Sequence, residues 1–342
     1  MTGTDRPQLL FRADARADLG GGHIMRCLSL ADALSHHEVD IAFCTNTDAP
    51  LHAPALARRP YPVCVTESLS DITVPPDWHP RPHVVIADLY DQTAAHERVW
   101  REQARRLVVI EDLPGRRHDC DLIIDPQDCA STQDYAERAP GSRVCLGPDY
   151  ALLRPGFAAA RHDSLMRDRS RVRRVVISMG LTDVGASSAR LARSLLDLAE
   201  DIEISVILGP LAPSRAILEP IAATNPRLEL AIDVDDMEQR LAGCDLVIGA
   251  GGGSALERCV LGVPSLICPV AENQWPLTRA LAARNAVRII DPFEPERALA
   301  EIFRTLDQAA LAEMSQASAA YCDGLGAERC AEAIIALARR SA

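Results

Sequence analysis

His23 is the side chain in this sequence best placed to move a proton. It follows Gly20-Gly21-Gly22 and precedes Ile24-Met25-Arg26-Cys27. An apolar run, Leu9-Leu10-Phe11, stands before the glycines, and apolar residues recur at helical spacing over Ile24–Leu34, so the stretch predicts strand, glycine turn, helix. A helix N-terminus offers unpaired N–H groups and partial positive charge, which suits an anion and disfavours imidazolium. A neutral imidazole there is suited to general-base work, with Gly21, Gly22 and Arg26 as candidate substrate contacts. A histidine that only caps or packs is the alternative.

A second glycine turn lies in the other half of the chain. Asp245–Gly249 reads as a buried strand, Ala250-Gly251-Gly252-Gly253-Ser254 as a turn, and Ala255–Leu261 as a helix closed by Gly262 and Pro264. Gly252 and Gly253 let the backbone approach a pyrophosphate, and Ser254 is expected as N-cap with its hydroxyl facing outward. Glu257 is spaced to accept from both ribose hydroxyls, or else to complete a capping box with Ser254. Three glycines exceed what a cap requires, which favours a nucleotide diphosphate site. Gly180, in Ser178-Met179-Gly180-Leu181-Thr182-Asp183, ends another strand and offers a second phosphate contact or a plain turn. Asn273 and Gln274 put adjacent amides after the strand Ser265–Cys268, for a polyhydroxylated or amide-bearing ligand or for solvent. In the first half, Asp88, Tyr90 and Asp112 end strands near His23; they orient the ring, bind sugar hydroxyls, or are solvated loop acids.

The elements that must carry these residues alternate. Strands are expected at Leu9–Arg12, Val39–Cys44, Val84–Ala87, Leu107–Ile110, Leu122–Ile124 and Val144–Leu146, with helices at Ile24–Leu34, Ala49–Arg58 and Thr93–Arg105. Ser68–Pro82 is a proline-rich loop, and the arginine-rich run Arg161–Arg174 reads as an interdomain linker. A second alternation follows, with strands at Val175–Ser178, Ile204–Leu208, Leu228–Ala231, Leu246–Ile248, Leu266–Cys268 and Val287–Ile290. The expected fold is α/β: two doubly wound, Rossmann-like domains, residues 1–160 and 161–310, with closing helices over 311–342. Ligands of such sheets bind beyond the strands' carboxyl ends, so two facing halves are expected to form a cleft.

Composition narrows the chemistry. All 36 basic residues are arginine. The lack of lysine removes Schiff-base chemistry, covalent pyridoxal phosphate and the P-loop lysine. A net charge of −12 without a basic, aromatic-laced cluster argues against nucleic acid. No apolar run reaches membrane-spanning length and the N-terminus has no apolar signal core, so a cytoplasmic protein without membrane association is expected. The 11 cysteines sit mostly in apolar segments without CxxC or ligand spacing and read as reduced core residues. His36-His37 would point apart on a helix, which disfavours a metal pair.

Taken together, residues 20–31, His-Asp-Cys-Asp-Leu-Ile-Ile-Asp (118–125), Gly-Pro-Asp-Tyr-Ala-Leu-Leu-Arg-Pro (147–155), residues 249–265 and Glu-Asn-Gln (272–274) resemble the UDP-sugar hydrolases of pseudaminic acid biosynthesis, MurG-like proteins of GT-B build. The resemblance runs nearly end to end. It implies that His23 activates water, that Tyr90, Asn273 and Gln274 contact substrate, and that Gly252, Gly253, Ser254 and Glu257 hold UDP, without metal or other cofactor. It implies UDP-2,4-diacetamido-2,4,6-trideoxy-β-L-altropyranose as substrate, opened by water at the anomeric carbon with inversion. Leu181 stands where the family has a glycine and Gly156 where it has an acid; the first departure weakens that loop's assignment to the diphosphate. A glycosyltransferase on the same frame and a nucleotide-sugar binder without turnover are the competing readings; a base such as His23 sets an enzyme apart from a binder.

Overall fold

The computed structural model describes residues 6–17, 20–113, 115–127 and 129–339. The chain divides into two units, one running to Pro155 and resuming at Leu325, the other spanning Gly156–Gly324.

Among the described residues, the first unit is built on seven strands: β1 (Gln8–Ala13), β2 (Asp40–Thr45), β3 (Val63–Val65), β4 (Val84–Asp88), β5 (Arg106–Ile110), β6 (Leu122–Asp125) and β7 (Arg143–Leu146). Their order is β3-β2-β1-β4-β5-β6-β7, and the pairings are parallel. The helices are α1 (Gly22–Leu34), α2 (Ala49–His52), α3 (Ala94–Gln103) and α4 (Thr132–Arg138). Both sheet faces are covered, as a parallel sheet requires. Leu9, Phe11 and Ala13 of β1 pack with Ile24, Cys27 and Leu28 of α1, while Leu10 packs on the opposite face with Val85, Ala87 and Trp100. Asp40–Thr45 pairs Phe43 with Phe11, and their rings stack with centroids 4.9 Å apart.

The second unit has six strands among the described residues: β8 (Arg174–Ser178), β9 (Glu203–Leu208), β10 (Leu228–Ile232), β11 (Leu246–Gly249), β12 (Ser265–Ile267) and β13 (Val287–Ile289), in the parallel order β10-β9-β8-β11-β12-β13. Its helices are α5 (Pro155–Leu165), α6 (Ser187–Leu198), α7 (Ser214–Ala222), α8 (Met237–Ala242), α9 (Ser254–Val260), α10 (Trp275–Ala282), α11 (Pro295–Phe303) and α12 (Gln308–Tyr321). A last helix, α13 (Gly326–Arg339), returns to the first unit.

Several local expectations change. The helix expected over Ala49–Arg58 is interrupted, because Pro54 cannot donate: α2 stops at His52 and a 3-10 turn covers Pro54–Arg58. The run Arg161–Arg174 is not a linker. Its first part belongs to α5, Arg161 donates to the carbonyls of Ala319 at 2.6 Å and Cys322 at 3.1 Å, and Arg167 pairs with Asp245 at 2.9 Å. Arginine stems cover apolar surface while their forks take up carbonyls, so charge density alone does not mark a linker. The two closing helices are divided between the units. Ala327, Cys330, Ala331, Ile334 and Ile335 of α13 join the core that contains α1. Gly326 allows that approach: a Cβ there would lie 2.3 Å from the Ala151 nitrogen.

Candidate functional site

The order of the first sheet reverses direction between β1 and β4, which opens a crevice beyond their carboxyl ends. His23 follows β1 and Asp88 ends β4. Gly20, with φ +76°, bends the chain where other residues would be strained, and its N–H donates to the Arg16 carbonyl at 2.7 Å. Gly21 is the N-cap of α1 and Gly22 its first residue, which makes His23 the second.

The imidazole Nδ1 lies 2.6 Å from Asp88 Oδ1. A carboxylate only accepts, so Nδ1 carries the hydrogen and, in the neutral ring, Nε2 keeps the lone pair. Asp88 is 1% exposed and Arg26 clamps it, Nε to Oδ2 at 2.6 Å and Nη2 to Oδ1 at 2.6 Å. Burial opposes the Asp88 charge, but Arg26 and His23 outweigh it and hold the carboxyl well below its usual range. Arg26 also reaches Asp112 Oδ2 at 2.7 Å, and the Tyr90 hydroxyl donates to the same oxygen at 3.2 Å. Tyr90 meets the His23 ring edge-on, 4.3 Å between centroids at 88°. The sequence-chosen residues of this half, His23, Arg26, Asp88, Tyr90 and Asp112, therefore form one cluster. Two features differ from expectation. The His23 side chain is only 5% accessible, drawn inward by Asp88, and the Arg26 fork is engaged by two carboxylates of its own unit.

Behind the cluster lies a buried network that single-residue reading did not find. His118 stands between Glu97 and Glu111, with Nδ1 2.8 Å from Glu97 Oε1 and Nε2 2.8 Å from Glu111 Oε2. Burial alone would lower His118, but the two carboxylates push it up to about 9, while Glu111, against the same burial, is held down to about 2. Arg116 joins Glu111 at 2.8 Å to the Tyr90 carbonyl at 2.6 Å, fixing the backbone that carries Tyr90. The signal for it in the sequence is the His118-Asp119-Cys120 motif, whose partners are far away along the chain.

The second sheet reverses between β8 and β11, and both sequence-chosen turns follow those strands. Gly180 is exposed with φ +93°. Gly251 is packed: a Cβ would lie 2.3 Å from Thr278 Oγ1, and its N–H donates to Gln274 Oε1 at 2.9 Å. Gln274 Oε1 also accepts from Val270 N at 3.0 Å, so this oxygen serves the unit itself. Gly252 and Gly253 differ from Gly251. Neither has positive φ, and a Cβ on either would meet nothing within 4 Å. Ser254 is the first residue of α9 rather than its N-cap; Gly253 holds that place with no side-chain cap, because the chain is already helical at Gly253. Glu257 and Asn273 are half-buried, Glu257 on α9 and Asn273 in the 3-10 turn Glu272–Gln274. A cavity of about 430 Å³ beyond β12, lined by Ser187, Arg190, Cys268, Trp275 and Phe293 among others, contains none of the chosen residues. Among the described residues no group of His, Cys, Asp and Glu is arranged to hold a metal ion, and no helix is long and apolar enough to cross a membrane.

Two Rossmann-like units, each with a parallel sheet and candidate residues at its reversal point, define a two-domain α/β fold of GT-B type. Solved structures agree: MurG of Acinetobacter baumannii has a TM-score of 0.67 at 14% identity, covering 96% of this chain and 99% of that one. A Staphylococcus aureus MnaA structure with UDP has a TM-score of 0.65 at 14% identity, covering 96% of each chain. No protein-family model matches the chain. Among curated proteins, it is similar to the spore coat polysaccharide biosynthesis protein SpsG of Bacillus subtilis, 22% identical over 80% of each chain. It is also similar to the UDP-2,4-diacetamido-2,4,6-trideoxy-β-L-altropyranose hydrolase of Campylobacter jejuni, 25% identical over 67% of this chain and 80% of that protein. An uncharacterized protein of Methanocaldococcus jannaschii is 22% identical over 74% of this chain, which spans 54% of that longer protein.

Proposed function

We propose that this chain is an enzyme acting on a UDP-sugar, and specifically that it hydrolyses UDP-2,4-diacetamido-2,4,6-trideoxy-β-L-altropyranose. The Asp88–His23 pair carries this reading: a carboxylate that fixes the imidazole tautomer, with Nε2 as proton acceptor, is the arrangement a general base needs. The likeness to the Campylobacter hydrolase supports the substrate. Water oxygen bonds to the anomeric carbon as the bond from that carbon to the UDP oxygen breaks, and the water proton passes to His23 Nε2. UDP leaves as an anion, and the configuration inverts. Gly252, Gly253 and Ser254 bind the diphosphate and Glu257 the ribose; Gly180 and the Asn273 and Gln274 amides add contacts. Gly21, Gly22 and Tyr90 bound the sugar beside His23. The free sugar then serves nonulosonic acid assembly of the pseudaminic type, which feeds flagellin glycosylation.

A glycosyltransferase is the second reading, favoured by the MurG-like fold over 96% of the chain. Turnover in ¹⁸O-labelled water decides. Label in the released sugar is the expected result; label in UDP means attack at phosphorus, and turnover only with an added acceptor means transfer. His23→Ala is expected to lower kcat by about 10²–10⁴ and to leave UDP affinity unchanged. Equal loss of both would make His23 structural.

A further inference from the structure

Arg258 is a buried cation, and the half-buried Glu257 beside it in the chain is an anion that acts on it. Arg258 is 2% exposed, on α9 beneath the Ala250–Ser254 turn. Its hydrogen bonds go to neutral oxygens, Nη2 to the Ala250 carbonyl at 2.7 Å and Nη1 to Ser254 Oγ at 3.3 Å, and Nε has no partner. The guanidinium lies on Gly249, where a Cβ would sit 2.6 Å from Nη1 and 3.2 Å from Cζ. Glycine at 249 thus makes room for the charge. Burial pulls this group down to about 10, outweighing the nearby Glu257, which acts to raise it. Interiors hold charges when they are paired, and an apolar side chain of similar length would fill this space without the desolvation penalty.

The opposite side of the same turn is open. Gly252 and Gly253 are glycines that neither backbone conformation nor packing requires, so what they leave is bare backbone facing solvent. Backbone N–H groups above and a buried guanidinium hydrogen-bonded to neutral oxygens below suit a dianionic group better than a neutral one.

We propose that Arg258 is a positioning residue for a nucleoside diphosphate at this turn, supplying the buried counter-charge and orienting the Ser254 hydroxyl toward the phosphates. The proposal rests on the nucleotide reading of the turn and is independent of whether water or another acceptor takes the sugar. No bond is made or broken at Arg258; its effect is electrostatic and orienting.

The test uses the full chain, with uridine, UMP and UDP titrated calorimetrically into wild type, Arg258→Met and Arg258→Lys. Apo thermal midpoints are recorded alongside. For Arg258→Met the expected results are a midpoint equal to or above wild type, unchanged uridine affinity, and UDP affinity lower by about tenfold or more. Arg258→Lys, which keeps the charge, is expected to retain more UDP affinity than the methionine variant. Arg258→Gln is a second neutral variant should the methionine chain fail to fold. Wild-type UDP affinity in a folded neutral variant overturns the proposal, and so does an equal loss for uridine and UDP with a lowered apo midpoint, which would mark a structural arginine. Failure of wild type itself to bind UDP removes the nucleotide reading and this proposal with it.

Discussion

Asp88→Asn perturbs the candidate site at its most connected atom pair. Asp88 accepts two short hydrogen bonds from Arg26 and meets His23 Nδ1 at 2.6 Å, all while 1% exposed. The asparagine removes the charge, turns one acceptor into a donor facing Arg26 or His23, and leaves Arg26 with Asp112 alone. Breaking one partner of a buried pair costs about 3–5 kcal/mol, so the first unit should lose that order of stability at pH 7. The sign with pH follows from the depressed folded-state value of Asp88. Its contribution is complete above the unfolded value of about 3.9 and is lost as pH falls below that toward the folded value. The gap between wild type and variant should therefore stay wide from pH 7 to about 5 and close only below about 4. Urea unfolding followed by tryptophan fluorescence in a Trp275→Phe background reports the first unit, because the remaining tryptophans, Trp78 and Trp100, both lie there. Catalysis should fall by about 10⁴ in kcat, the scale seen when an Asp–His pair loses its tautomer control. Wild-type stability at pH 7, or a gap that persists unchanged at pH 3, would refute the ion-pair account; wild-type kcat would refute the tautomer account.

Other perturbations separate the remaining parts. Asp125, 3% exposed, is pushed up to about 6 by burial against the Tyr135 and Gln127 bonds, so the native state gains protons between about pH 4 and 6 and loses stability as pH rises through that window. Asp125→Asn should gain about 1–3 kcal/mol over wild type at pH 7 and nothing below pH 4; a less stable variant at pH 7 contradicts this. His118 has a raised folded value of about 9, so its contribution is complete below about 6.5 and fades up to 9. Wild-type first-unit stability should decline across that range, whereas the decline should be absent in His118→Gln; parallel curves would count against the Glu97–His118–Glu111 network. Gly252→Ala and Gly253→Ala meet no neighbours and should raise stability by about 0.4–1 kcal/mol while weakening UDP binding. Gly251→Ala, pressed against Thr278, should instead destabilise, and denaturation curves with UDP titrations distinguish the two classes.

What the sequence determined by itself was local. Strand, glycine turn and helix were readable around His23 and around Gly251–Ser254 because period, glycine clustering and caps act over a few residues. The alternation of elements carried the two-sheet α/β architecture for a similar reason. Short or exposed elements were not readable: β3 is three residues long on a sheet edge, so it shows little pattern. Only the tertiary structure decided which distant residues meet. Asp88 lies 65 positions from His23, Glu97 lies 21 from His118, and α13 closes on α1 across nearly the whole chain. A side chain's type announces that it needs a partner, but burial and strand order choose the partner. For that reason the sequence offered Arg26 as a substrate contact without showing that it clamps Asp88 and Asp112, and gave no sign that Arg258 is buried under the turn.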